Sequence, residues 1–314
     1  MLHYQPIIQN ITINNNYDVD VLRLDLIHSE ISGNKWFKLK RNVTKALEQN
    51  HTTIITFGGA YSNHIAATAA YCKNIGIKCI GIIRGEASSI NNSTLTFAKQ
   101  QGMELHFVSR ELYLQKNDSE MNDYLLTRFG KHYLIPEGGN NVEGVLGCKD
   151  ILTQMSNNTY DYILCNCGTG ATYAGLLLAS NKSQIIIGIN VLKGENTMPQ
   201  EVLHQLKNVA PNNNLIIEGN EALNSANINT HCITNNYSFS GYAGFDEKLI
   251  AFKKQFEQQF LIPLDYIYTN KLFYATFDLM SQQKFKQHAK VLVVHSGGLQ
   301  GNIGFENRYQ SKLM

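Results

Sequence analysis

This chain is poor in what would mark a membrane, secreted or nucleic-acid-binding protein. No run of roughly 18 apolar residues occurs, so no segment is expected to span a bilayer. Lysine and arginine total 27 against 25 aspartate and glutamate, and the resulting charge of +2 argues against a general nucleic-acid binder. The opening MLHYQPIIQN has no basic segment followed by an apolar core, so no secretory signal is expected. Cysteines occur only at 72, 79, 148, 165, 167 and 232, too sparse for a disulfide framework. The Cys165-x-Cys167 pair has no second cysteine pair or histidine cluster and makes a poor zinc site. Buried reduced thiols, a cytoplasmic setting and no metal are the expectation. At 43% hydrophobic and 17% charged, the 314 residues suit one large or two intimately joined globular domains.

What is present is a rhythm. Short β-branched runs, TTIITF (52–57), KCIGIIRG, MELHFVS, DYILCN (161–166), QIIIGIN and AKVLVVHSGG, alternate with helical stretches such as HIAATAAYCKNIG and STLTFAKQQG. Nearly continuous Val/Ile/Leu strands separated by helices are what parallel sheets covered on both faces require. The spacing therefore predicts a doubly wound α/β protein. Ligands in such folds collect at the strand ends. The Asn-rich stretches 10–18 and 212–236 read as surface loops.

Several predicted strands end in glycine: FGGAYSNH (57–64), Gly138-Gly139 after LIPE, CGTGATYAG (167–175) and HSGGLQGN (295–302). Alone, each reads as a tight turn; together on one sheet edge they read as a shared site. CGTGATYAG follows a strand and opens a helix, so its successive amides suit a phosphate. It lacks the Gly-Lys-Ser/Thr of a P-loop. It also lacks the dinucleotide spacing, and the next strand ends in Asn190, so a monophosphate fits better than a dinucleotide. A phosphorylated carbonyl cofactor would need a partly desolvated lysine. ISGNKWFKLK offers Lys35, Lys38 and Lys40, an arrangement on a starting helix that would mostly face water. The Gly33-Asn34 pair suggests a turn at a strand end, where a lysine could point inward.

Taken together, SGNKWFKLK, TFGGAYSNHIAATAA, CGTGATYAG and HSGGLQGN resemble the pyridoxal-phosphate enzymes of fold type II. More narrowly, they resemble the D-cysteine desulfhydrase / 1-aminocyclopropane-1-carboxylate deaminase family, over almost the whole chain and in motif order. The resemblance implies a tryptophan synthase β-like α/β fold: two open, twisted, mostly parallel sheets flanked by helices, with the active site between a larger domain (1–43 plus 148–314) and a smaller inserted one (44–147). It implies pyridoxal 5′-phosphate as cofactor, a small amino acid as substrate and a homodimer as assembly. Lys35 would carry the cofactor covalently, leaving Lys38 and Lys40 as helix-surface charges. Ser62 would act near the substrate α-carbon, and the amides of Ser62, Asn63 and His64 would hold its carboxylate, with Asn63 also beside the cofactor ring. Gly168, Thr169, Gly170, Ala171 and Thr172 would form the phosphate cup. Tyr242 and Tyr268 would line the substrate pocket.

Two departures bear on substrate. The ring-opening enzymes have glutamate where this chain has Thr269, and leucine where it has Ser296. Hydroxyls beside the cofactor's ring nitrogen resemble the desulfhydrase branch, so β-elimination from D-cysteine is expected before ring opening of the cyclopropane. A catalytically silent phosphate- or cofactor-binding protein is the alternative from another class. Phe37 stands where the family often has arginine, which puts some local ion pairing in doubt.

Overall fold

The apolar runs form two sheets in the computed structural model, which describes residues 4–13, 17–31, 33–86, 92–155, 159–192 and 197–313. The larger sheet contains β1 (Ile8–Ile13), β2 (Tyr17–Arg23), β7 (Tyr162–Cys167), β8 (Ile185–Asn190), β9 (Cys232–Thr234) and β10 (Lys290–His295), in the spatial order β1-β2-β10-β7-β8-β9. Among the described residues, only the β1/β2 pairing of this sheet is antiparallel. The smaller sheet is wholly parallel, with β5 (Glu104–Val108), β4 (Lys78–Arg84), β3 (Thr53–Gly59) and β6 (Tyr133–Ile135) side by side. Two mostly parallel sheets flanked by helices, as expected from the sequence, are thus the observed architecture.

Strand alternation explains the core. Neighbouring residues of a strand point to opposite faces, and here both faces are covered. Ile54 packs into the apolar cluster that also holds Ile163, Leu292 and Val294, so the two sheets share one core. Ile55 and Phe57 face outward onto Tyr113, Met121 and Leu125. On the far side of the large sheet, Val291 and Val293 meet Leu272 and Phe273, which belong to helix α10 (Thr269–Ser281).

Two local expectations change. Asn10 to Ile13 and Tyr17 to Asp18 belong to the β1/β2 hairpin rather than a loop, with Asn10 Nδ2 donating to Asp18 (2.8 Å) and Asp20 (3.0 Å) across the strands; residues 14–16 lie outside the described residues. The second Asn-rich stretch likewise contains β9. Gly33 does not end a strand: it caps helix α1 (Asn34–Glu48), ten residues beyond β2. Phe37, at the place where ion pairing was in doubt, is buried edge-on to Tyr4 (4.9 Å, 85°) and Trp36 (5.0 Å, 81°).

Candidate active site

The Gly-rich strand ends converge on one cavity of about 540 Å³. Four basic side chains (Lys35, Lys38, Arg84, Arg308) and two acidic ones (Glu30, Glu137) line it, so it favours anionic ligands.

Its floor begins with α1. A Cβ on Gly33 would lie 1.8 Å from the Ser296 carbonyl oxygen, so only glycine lets the start of α1 meet the loop after β10. Asn34 N–H donates to that carbonyl (3.3 Å). The Asn34 side chain then bridges two expected site residues. Its Oδ1 accepts from Lys35 Nζ (2.9 Å), and its Nδ2 donates to Thr172 Oγ1 (2.7 Å). Thr172 therefore keeps its own hydroxyl proton for another acceptor. Burial, then the nearby Lys38 charge, lowers the Lys35 ammonium to about 7. At neutral pH a sizeable fraction of this amine is unprotonated and nucleophilic.

Lys38 is not a surface charge. It is 3% exposed and donates from Nζ to Gly138 O (3.0 Å), and burial lowers its pKa. The reason is the helix packing: α1 meets helix α6 (Val142–Thr153) and the Gly138-Gly139 turn, where a Cβ on Gly139 would sit 3.2 Å from Lys38 Cβ. Lys40 is half-buried, its ammonium 5.0 Å above the Trp36 ring. Lys38 has no ion pair among the described residues. A buried cation without a carboxylate calls for an anion. The Gly168–Thr172 loop is its neighbour, since a Cβ on Gly138 would fall 2.9 Å from Thr169 Cγ2. Gly170, at φ +82, turns this loop into the N-terminus of α7 (Ala171–Ala179). Gly168, Thr169, Gly170 and Thr172 line the cavity, while Ala171 is fully buried behind them.

The opposite wall is the start of helix α2 (Asn63–Ile75). Ser62 is its N-cap and accepts from Ile65 N–H (3.4 Å); Ser62, Asn63 and His64 all line the cavity. First-turn amides have no intrahelical acceptor, which makes this a second anion-binding end. Asn63 Oδ1 accepts from Gln300, and Gly298 and Gly301 let the last Gly-rich loop close upon it. His64 is 2% exposed. Thr56 Oγ1 donates to Ile135 O (2.9 Å), so the His64 Nε2–H donates to Thr56 (2.8 Å) and its Nδ1 presents a lone pair. That Nδ1 is buried without a partner among the described residues, and burial with the charges of Lys35 and Lys38 holds the ring neutral.

The third wall carries Tyr242, Tyr268 and Ser296. The two tyrosine rings meet edge-on at 5.9 Å and 81°. Tyr242 is 38% exposed and lines the cavity. Burial pushes its phenol up to about 12 and raises Tyr268 well above the ordinary value, so both stay protonated. Ser296 Oγ donates to Asn166 Oδ1 (2.6 Å), and both line the cavity. Thr269 is different: it is fully buried behind the wall. Its hydroxyl donates to Asp265 Oδ1 and accepts from Asp265 N–H, each at 2.7 Å. Asp265 also takes the amides of Ile267, Tyr268 and Thr269.

Twelve of the thirteen sequence-predicted site residues thus line the cavity or form its immediate backing, and Thr269 sits one layer further out. Sequence reasoning missed Asn34, Lys38, Arg84, Glu137, Asn166, Gln300 and Arg308 as cavity residues. Asn34 and Lys38 stood inside SGNKWFKLK, Gln300 inside HSGGLQGN and Glu137 beside the glycine pair; Arg84, Asn166 and Arg308 carried no such signal. A neutral-prone lysine, an orphaned imidazole nitrogen, a cation without counterion and two helix N-termini fit a phosphorylated aldehyde such as pyridoxal phosphate.

The chain is 30% identical to a Pyrococcus abyssi protein provisionally named a 1-aminocyclopropane-1-carboxylate deaminase, over 90% of this chain and 85% of that one. It is 26% identical to the D-cysteine desulfhydrase of Klebsiella pneumoniae (strain 342), over 90% and 87%. A solved ACC deaminase homologue superimposes with a TM-score of 0.80 at 26% identity, covering 99% of this chain and 94% of that one. The family model described as "Pyridoxal-phosphate dependent enzyme" matches residues 6–297. The chain belongs to the pyridoxal-phosphate dependent enzymes, in the group whose relatives bear the deaminase and desulfhydrase names.

Proposed function

We propose that this protein eliminates the β-thiol of D-cysteine, releasing sulfide, ammonia and pyruvate. When bound, pyridoxal phosphate supplies an electron sink for the pair left as the α-proton departs. Lys35 is the residue we assign to hold the cofactor aldehyde, its amine poised by burial and oriented by Asn34. Lys38, the Thr172 hydroxyl and the amides of residues 168–172 would hold the phosphate. The α2 amides from Ser62 to His64 would hold the substrate carboxylate, and Asn63 and Ser296 would flank the ring. Lys35 Nζ, once free, or Ser62 Oγ would take the α-proton. The phenols of Tyr242 and Tyr268, kept neutral by burial, would direct the leaving thiol and carry no competing charge. A cytosolic setting belongs to the same proposal, supported by six cysteines that stay free and buried, and so does a homodimer, supported by the resemblance.

One observation carries the choice of substrate: the wall around Ser296 is a neutral hydroxyl–amide pair with Asn166, whereas a carboxylate there would favour a protonated ring. A second reading, ring opening of 1-aminocyclopropane-1-carboxylate, is favoured by Asp265, whose carboxylate is hydrogen-bonded to the Thr269 hydroxyl. Its charge is already met by three amides and a hydroxyl, which is why elimination is preferred here. The test is to incubate cofactor-loaded protein with D-cysteine, L-cysteine, D-serine and the cyclopropane substrate, and assay keto acid and sulfide. Sulfide with pyruvate from D-cysteine is expected. Efficient ring opening with D-cysteine inert would overturn the substrate choice.

A further inference from the structure

Lys271 belongs to none of the roles above, yet it is fully buried one helical turn from Tyr268. It makes no ion pair among the described residues. Instead, Nζ donates to Ser238 O (2.7 Å) and Gly241 O (2.5 Å). Those carbonyls are the anchors of two successive turns, because Gly241 N–H also donates to Ser238 O and Gly244 N–H to Gly241 O, each at 3.0 Å. Between the anchors, Phe239 (φ +49) and Ser240 (φ +70) are consecutive non-glycine residues in the left-handed region. Such a conformation persists only where surrounding contacts over-determine it. The loop is folded tightly enough that a Cβ on Gly244 would fall 1.7 Å from Phe239 O. Tyr242 rides on the second of these turns and meets Tyr268 edge-on.

We infer that Lys271 is a positioning residue that fastens the Tyr242 loop to the helix beginning at Tyr268, and so fixes the two phenols relative to each other. A buried ammonium is costly unless its donors are used, and this one spends them on the loop. Burial also lowers its pKa to about 8, in keeping with a cation whose partners are neutral carbonyls. The inference rests on the assignment of Tyr242 and Tyr268 to the substrate pocket. Lys271 itself is not among the residues that line the cavity, so cofactor affinity is expected to survive its replacement.

The experiment compares the wild-type holoenzyme with Lys271→Met and Lys271→Gln, the latter keeping a neutral donor for one carbonyl. Chymotryptic cleavage after Phe239 or Tyr242 should accelerate in the methionine variant and less in the glutamine variant, with cofactor affinity unchanged. With D-cysteine, kcat/KM should fall on the order of 10²-fold, as for a misplacement of about 1 Å, with partial recovery in the glutamine variant. Should the methionine variant fail to fold, the glutamine variant alone decides by the same two readouts. Unchanged loop cleavage, or a loss of cofactor affinity with kcat/KM intact, would overturn the inference. Faster loop cleavage in a protein whose wild type proves inactive on D-cysteine would support the clamp while overturning the substrate proposal.

Discussion

Replacing Gly33 with alanine tests whether the α1 start and the β10 loop are joined as described. Gly33 sits at φ +74, ψ −157, a region essentially reserved for glycine. Its new Cβ would lie 1.8 Å from Ser296 O, 2.4 Å from Ser296 C and 2.9 Å from Gly297 N, all backbone atoms that no rotamer change can move. Since real Cβ contacts essentially never fall under 3.0 Å, the two segments must part by more than an ångström. Strained backbone costs about 1–3 kcal/mol, and overpacking adds about 1–3 kcal/mol. At about 2.1 cal/mol/K of unfolding entropy per residue over 314 residues, a total of about 2–6 kcal/mol corresponds to a fall in melting temperature of about 3–9 °C. Because Lys35 and Ser296 separate together, cofactor affinity should fall too. Gly76, at φ +70 with nothing within 4 Å, is the control; its alanine variant should cost only about 1–2 kcal/mol and leave cofactor affinity alone. Thermal unfolding of the apoprotein and a cofactor titration measure both quantities. A Gly33→Ala protein with unchanged melting temperature and affinity would refute the contact.

Lys35→Ala should lose covalent cofactor and its visible absorbance, whereas Lys40→Ala keeps both; borohydride reduction and peptide mapping would locate the attachment. Lys38→Met should retain attachment at Lys35 but weaken cofactor affinity at least tenfold, since loss of a buried charge-assisted contact is worth about 1.5–3 kcal/mol. Gly170→Val drives a side chain into Val202 Cγ2, 2.6 Å from the Cβ position, and should weaken cofactor binding in an equilibrium titration. The folded Lys35 amine, near 7, lies below the ordinary 10.5, so between these values the unfolded chain binds more protons and this residue's destabilising effect fades as pH rises. The stability advantage of Lys35→Met apoprotein over wild type should therefore be greatest below pH about 7 and shrink toward 10.5, read by urea unfolding.

The fold was legible because Ile54, Ile55, Leu292 and Val293 belong to strands covered on both faces, and a continuous apolar run records that directly. The phosphate loop was legible for a similar reason: glycines at 168 and 170 leave a local mark. Lys38 was not, because helix periodicity says which residues share a face but not that α6 and the Gly138 turn cover it. Asp265, Asn166 and Lys271 were silent too. Their partners lie between 2 and 130 positions away, and nothing in the sequence around Asn166 or Lys271 announces a hydroxyl or carbonyl brought to it by the fold. The resemblance supplied Thr269 as a cofactor contact; the structure explains its burial through the ring of donors and acceptors it shares with Asp265.

The position of β10 has a consequence for how the molecule comes into being. This late strand lies in the middle of the larger sheet, with Val291 opposite both Val19 and Tyr162. During synthesis, β2 and β7 must each wait with an open apolar edge until residues 290–295 leave the ribosome. The hairpin of β1 and β2 has no parallel neighbour in the interval, and unpaired edges of this kind invite association with other chains. The pairing closes a loop of more than 260 residues, which favours a slow final docking step. Asn34 and Ser296 come together in that same step, so the cavity is completed only when the strand is inserted. A nascent chain is thus obliged to remain incompetent for its cofactor until its architecture is nearly finished.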